Sequence, residues 1–128
     1  MSKKILVIND DPVFDEVLRA ALSARGHQVE ICLQPQLAFG RIKKWQPDLV
    51  ALDIAMPGRS GWEIVSQMRS DPRTAKVPIL ITPAAHVGLI AAEALLLQGM
   101  RYDKLRKPFE LDDFLRALEH LLHDPPPR

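Results

Sequence analysis

The stretch Ile5-Leu-Val-Ile-Asn-Asp-Asp-Pro12 decides most of the fold. Its four apolar residues form a short run of the kind that suits a strand covered on both faces, since a half-exposed strand would alternate apolar with polar. The run ends abruptly in Asn9, Asp10 and Asp11. Asp11-Pro12 then reads as a helix start: a carboxylate to accept an orphan backbone N–H, and a proline at the first helical position, where its missing N–H costs nothing. Phe14, Val17, Leu18, Ala21 and Leu22 make one apolar helical face, and Gly26 supplies the stop. A strand, an acidic turn and a helix follow one another here within the first 26 residues.

The same alternation recurs outward along the chain. Val29 to Leu33, Leu49 to Leu52 and Pro78 to Ile81 read as further buried strands, and Tyr102 to Leu105 as a fifth, assigned mainly from its position. Helical patterns fall between them. Pro35 to Lys44 is a second helix; Ser60-Gly-Trp-Glu63 is a capping-box sequence that opens a third, running to about Arg69. His86 to Gln98, stopped by Gly99, is the fourth, and Glu110 to His123 is the fifth. Strand and helix alternate five times, which predicts an α/β, doubly wound parallel sheet with helices on both faces. One domain is expected over residues 1–123. Asp124-Pro-Pro-Pro-Arg128 cannot continue a helix and reads as a Pro-rich tail or the start of a linker.

The bulk composition is that of an ordinary globular chain: 128 residues, 47% hydrophobic and 26% charged. Seventeen basic residues against sixteen acidic ones leave a net charge of +1, so nothing pulls the chain electrostatically toward nucleic acid or an acidic membrane. No direct nucleic-acid contact and no membrane association are expected. Cys32 is the single cysteine, which excludes an internal disulfide and fits a reducing compartment. No apolar stretch is long enough to span a bilayer, and a cytoplasmic location is expected.

In an open α/β sheet, ligands bind outside the carboxyl ends of the strands. Asn9, Asp10 and Asp11 follow the first predicted strand, Asp53 ends the third, Thr82 ends the fourth, and Lys107-Pro-Phe109 follows the fifth. Carboxylates, a hydroxyl and a lysine are thus expected at one edge. Crowded carboxylates repel unless a cation neutralises them, and Mg²⁺ takes one or two carboxylates plus waters and phosphate oxygens. Phosphoryl transfer needs mainly positioning and charge neutralisation. The set therefore suits Mg²⁺ and a phosphoryl group, with one carboxylate as the attacking group.

Four segments carry a resemblance over essentially the whole chain: Ile5-Leu-Val-Ile-Asn-Asp-Asp11, Leu52-Asp-Ile-Ala-Met-Pro-Gly58 with Gly61 beyond it, Pro78-Ile-Leu-Ile-Thr82 and Lys107-Pro-Phe109. In that order and spacing they resemble the signature segments of response-regulator receiver domains. The resemblance implies a five-stranded parallel (βα)5 sheet of flavodoxin-like strand order 2-1-3-4-5. It implies that Asp53 is the phospho-acceptor of a two-component or phosphorelay system. Mg²⁺ would be held by Asp10, Asp53 and the backbone carbonyl of Ala55, with Asn9 acting through a water. Lys107 would pair with phosphoryl oxygens, Lys107–Pro108 would be a cis peptide, and Thr82 would donate its hydroxyl. The implied partners are a histidine kinase or histidine phosphotransfer protein and an output domain or partner protein. Activity beyond self-catalysed aspartyl phosphorylation and dephosphorylation is not implied.

The chain departs from the family pattern at several places. Asn9 stands where the family usually has an acid, which predicts weaker Mg²⁺ binding. Counted from Pro78, the family hydroxyl falls at Pro83, so either Thr82 or Pro83 holds the switch position. Lys104 stands where the family carries an aromatic, and Tyr102 is out of register as a substitute. Asn9, Pro83 and Lys104 speak for an alternative, a pseudo-receiver that binds partners independently of phosphate, while the presence of Asp10, Asp53 and Lys107 together speaks against it. A flavodoxin-like cofactor binder fits poorly, because the first loop is acidic rather than a phosphate cradle. Other residues read more simply. Asp11 is an N-cap, and Asp112 and Asp113 complement the dipole of the last helix. His120 and His123 are exposed helix residues, and Trp45 and Trp62 are packing residues. In the fourth predicted helix, three consecutive leucines (residues 95–97) cannot all face the sheet. That suggests an exposed apolar strip for a partner or a second copy.

Overall fold

The computed structural model describes residues 2–9, 11–54, 61–83, 95, 97–106 and 109–123. Five strands, β1 (Lys4–Ile8), β2 (Gln28–Cys32), β3 (Leu49–Asp53), β4 (Ile79–Thr82) and β5 (Tyr102–Lys104), form one sheet in the order β2-β1-β3-β4-β5. All four pairings are parallel. Among the described residues, three helices join them: α1 (Pro12–Ala24), α2 (Ala38–Trp45) and α3 (Gly61–Ser70). A C-terminal helix, Leu111–His123, closes the chain. The predicted fold class and strand order are those observed.

Strands β1 to β4 divide their side chains between two cores. Ile5, Val7, Leu49, Ala51 and Leu80 pack with Leu18 and Leu22 of α1 and with Phe114, Leu115, Leu118 and Leu121 of the C-terminal helix. Leu6, Ile8, Val50, Leu52, Ile79 and Ile81 pack on the opposite face with Ala38 and Ile42 of α2 and Ile64, Val65 and Met68 of α3. Strand residues alternate between faces, and burying both explains why the central runs are apolar throughout. Every residue of β3 is buried, whereas the edge strand β5 is mostly exposed. That edge position explains its weak signature: only one of its three residues is apolar in body, and the sheet recruits it through β4.

The helix ends follow their sequence signals. Asp11 caps α1, its carboxylate accepting the Phe14 N–H at 3.2 Å. At the other end the Gly26 N–H bonds Ser23 O and the His27 N–H bonds Leu22 O, with Gly26 at a left-handed φ of 87°. This is the paired closure that glycine permits at a helix end. The last helix starts one residue later than predicted, and the Glu110 N–H donates to the Asp113 carboxylate. The second predicted helix is broken in two. Pro35–Leu37 forms a 3-10 turn before α2 begins at Ala38. Gln34 makes no side-chain cap there, so the tighter turn satisfies the free backbone groups instead.

The apolar face of α1 is rotated from the predicted one. Leu18 and Leu22 are buried, but Val17 is exposed and Asp15 takes a buried position one turn before Leu18. Trp45 and Trp62 pack against the α2–α3 core, as predicted. Of the fourth predicted helix, only Leu95 and residues 97 and 98 lie within the described residues. Leu95 is 64% exposed, whereas Leu97 is buried in the α2–α3 core. Arg69 of α3 donates to the carbonyls of Leu95 and Gln98. The 124–128 tail lies outside the described residues. Among the described residues no helix is long and apolar enough to cross a membrane.

A polar cluster closes the opposite edge of the sheet. His27 Nδ1 accepts the Lys3 N–H at 3.2 Å, so its Nε2–H donates to Glu119, 2.9 Å away. His123 Nε2 lies 2.8 Å from the other Glu119 oxygen. Burial alone would push the Glu119 carboxyl up, but the hydrogen bonds from His27 and His123 outweigh it and hold the group below its usual 4.5. A carboxyl lowered on folding contributes stability above its unfolded pKa and loses it as pH falls through the folded one. Urea midpoints should therefore fall more steeply below about pH 4.5 in the wild type than in Glu119→Gln. The difference should be under about 1 kcal/mol, because the pair is partly solvated. Parallel acid limbs in the two proteins would refute the linkage.

Candidate functional site

The carboxyl ends of β1, β3 and β4 bring three polar side chains together. Asn9 follows the last residue of β1, Asp53 ends β3 and Thr82 ends β4. The backbone holds these ends in line. Asn9 N–H bonds Cys32 O at 3.2 Å, Ile8 pairs with Leu52, and Asp53 pairs directly with Thr82. Beyond the strand, the Ile54 N–H reaches Thr82 O at 3.4 Å. Strand alternation puts residues 5, 7 and 9 on one face with 49, 51 and 53, and with 80 and 82, which is the face of α1 and the C-terminal helix.

All three side chains are sheltered: Asn9 is 8% exposed, Asp53 4% and Thr82 5%. Polar groups in such shelter cost folding energy unless they are satisfied, so their gathering at one edge points to use rather than to packing. Asn9 donates its amide nitrogen to Asp15 Oδ1 at 3.0 Å. This contact was not predicted, since Asp15 reads in sequence as one more first-turn acid on a helix. Asp11, by contrast, spends its carboxylate on the helix cap, as expected of it.

Asp10, Ala55, Lys107 and Pro108 lie outside the described residues. Their flanks are anchored. Phe109 meets Phe14 edge-on, with ring centroids 5.7 Å apart, and lies 5.6 Å from Phe114. On the other side, Gly61 opens α3 with its N–H 3.3 Å from Ile54 O. Pro83 follows Thr82 and is buried as well. Lys104 pairs with Ile81, while Tyr102 pairs with Ile79, one full pleat (roughly 6.6 Å) further from the site edge. An aromatic side chain is thus absent from the Lys104 position and present a pleat away.

The donor chemistry fits a hard cation. The oxygens available are the Asp53 carboxylate, the Asn9 amide carbonyl and the Thr82 hydroxyl, with no thiolate or imidazole beside them among the described residues. No group of three His, Cys, Asp or Glu side chains gathers among the described residues.

The sheet of order 2-1-3-4-5, with a buried carboxylate at the end of its central strand, places the chain in the flavodoxin-like class of doubly wound folds. Within that class, residues 5–119 match the response regulator receiver domain, and the chain belongs to that family. It is 34% identical over 122 residues to the response regulator MprA of Mycolicibacterium vanbaalenii, covering 95% of this chain and 51% of that protein. The chain spans about half the length of the curated relatives it matches. Among solved structures, one from Chloroflexus aurantiacus described as a response regulator superposes with a TM-score of 0.79 at 27% identity, covering 97% of this chain and all of that one. The receiver domain of the sensor histidine kinase PA1611 from Pseudomonas aeruginosa has the same fold, with a TM-score of 0.78 at 24% identity over 97% of this chain and all of that one. The chain is thus a receiver domain of the kind that response regulators of two-component systems carry.

Proposed function

We propose that Asp53 accepts a phosphoryl group from a histidine-kinase-type donor, with Mg²⁺ bound beside it, and that the added charge alters partner affinity. The observation that carries this reading is the meeting of Asn9, Asp53 and Thr82 on one face at adjacent strand ends, all sheltered from water. Magnesium in the active-site cleft of the PA1611 receiver domain lends support to the same cation here.

Asp10, the Asp53 carboxylate and the backbone carbonyl of Ala55 would hold the cation directly, and Asn9 would hold one of its waters. When bound, Mg²⁺ supplies neutralising charge for the carboxylates and the phosphoryl oxygens. An Asp53 oxygen forms the new bond to phosphorus as the phosphorus–nitrogen bond of the donor phosphohistidine breaks, and the imidazole leaves. Lys107 pairs with the phosphoryl oxygens as a point charge. Thr82, registered against Asp53, donates its hydroxyl to them. Hydrolysis of the acyl phosphate returns the carboxylate.

The donor is a histidine kinase or histidine phosphotransfer protein, and the output is an attached domain or a separate partner protein. Exposed Leu95 supports a docking or self-association surface in the fourth-helix region. With a net charge of +1, this chain has no electrostatic drive of its own toward nucleic acid. We place its work in the cytoplasm.

The test is incubation with Mg²⁺ and acetyl phosphate, followed by intact-mass measurement. A phosphate-sized gain that disappears in Asp53→Asn supports the reading. No gain in a folded chain, beside a control receiver that responds, refutes it in favour of phosphate-independent partner binding.

A further inference from the structure

Asp15 is a buried carboxylate for which the receiver reading, as stated so far, has no use. It is 1% exposed and sits at the head of the stripe formed by Asp15, Leu18 and Leu22, the buried face of α1. A leucine there would extend the apolar stripe at no electrostatic cost. A carboxylate must instead be desolvated, which costs several kcal/mol in order of magnitude unless something repays it. One partner of its carboxylate is Asn9, the residue at which this chain lacks the acid of the family pattern, 3.0 Å from Asp15 Oδ1.

The chemistry of this contact fixes the amide. The Asn9 side chain turns its nitrogen to Asp15, whose Oδ1 accepts the hydrogen bond. The opposite rotamer would set oxygen against oxygen. With the nitrogen committed to α1, the amide oxygen is carried on the other branch of the side chain. An asparagine so held offers a carbonyl oxygen where the family offers a carboxylate oxygen. The missing negative charge is supplied one contact further back.

We propose that Asp15 is a positioning residue for the Mg²⁺ site: it orients the Asn9 carbonyl oxygen toward the cation's hydration shell and restores the charge that Asn9 lacks. This rests on the Mg²⁺ reading given above. Asn9 and Asp15 act as a split version of one acidic ligand, with the oxygen on the strand end and the charge on the helix. Partners of this indirect kind change metal affinity by about 10–100-fold when removed.

The experiment is calorimetric titration of the apo protein with MgCl₂, with melting temperatures measured without Mg²⁺. Four proteins are compared: wild type, Asp15→Asn, Asn9→Asp, and the exchanged pair Asn9→Asp/Asp15→Asn. Asp15→Asn should bind Mg²⁺ about tenfold more weakly or worse. Its melting temperature without Mg²⁺ should be no lower than that of the wild type, because a buried charge has been removed. Asn9→Asp should melt lower without Mg²⁺, since it sets two buried carboxylates side by side, and should recover when Mg²⁺ is added. The exchanged pair should regain at least wild-type affinity. If Asp15→Asn binds within about twofold of wild type, or the exchange fails to restore binding, the positioning role is overturned while the Mg²⁺ reading stands. A wild type that binds no Mg²⁺, though folded by circular dichroism, overturns both. A merely structural Asp15 would show the reverse pattern, with a lower melting temperature and unchanged affinity.

Discussion

Asp53→Asn is expected to give a folded chain that takes up no phosphate from acetyl phosphate and Mg²⁺. The two side chains have the same shape, and Asp53 is 4% exposed at the end of a strand that is buried throughout, so a change of shape would be felt by the core. Asparagine avoids that change. What it removes is the proposed nucleophile: an amide nitrogen has its lone pair delocalised into the carbonyl, and no anionic oxygen remains to attack phosphorus. Loss of uptake should be complete, with the unfolding free energy from urea titration changed by no more than about 1 kcal/mol. Asp11 cannot easily stand in, because its carboxylate holds the first turn of α1. Labelling of the variant at a level near the wild type would remove Asp53 from the acceptor position.

The second large effect is expected at Gly61. A Cβ added there would lie 2.8 Å from the Ile54 Cα, 3.1 Å from the Asp53 carbonyl oxygen and 3.1 Å from Ile54 Cδ1. Two of those atoms are backbone and cannot rotate aside. Helix α3 would have to retreat from the end of β3, and it carries Ile64, Val65 and Met68, all fully buried. Overpacking of this kind costs about 1–3 kcal/mol. Gly61→Ala should therefore lower the unfolding free energy from urea titration by that amount and slow phosphate uptake too, since the displaced contact lies on the peptide that carries Asp53. Gly40 is the control: a Cβ there meets nothing within 4 Å, and alanine suits a helix interior. Gly40→Ala should stabilise by about 0.5–1 kcal/mol. If both substitutions behave alike, close approach is not the reason for glycine at position 61.

Much of this architecture could be read from residue order. Uniformly apolar runs such as Leu49 to Leu52 mark strands covered on both faces, and Asp11-Pro12 and Gly26 mark the ends of α1, because capping and left-handed closure depend on residues next to each other. Asp53 and Thr82 were found as strand-end residues, and the register sets them side by side. The misreadings around α1 share one cause. Val17 and Asp15 lie near the edges of a helical stripe, and a small rotation of α1 on the sheet exchanges which of them is buried; that rotation is set by tertiary packing. The Asn9–Asp15 and His27–Glu119 contacts join groups whose pairing depends on that same packing. The break at Pro35 needed knowledge that Gln34 makes no cap. β5 is short and solvent-facing, so its sequence had little reason to look like a strand.

The sheet also acts as a partition. Leu80 and Ile81 are joined by a peptide bond, yet their side chains belong to separate compartments, one shared with α1 and the C-terminal helix and the other with α2 and α3. Phe114 and Leu80, far apart along the chain, share a compartment. Energetic kinship in this protein therefore runs across the sheet's faces and not along its strands. Substitutions at neighbouring positions on opposite faces should add as strangers do, and those within one compartment should depend on each other. Asn9, Asp15, Asp53 and Thr82 all fall on the side of α1 and the C-terminal helix, so the far compartment is free to drift in packing without renegotiating those four residues.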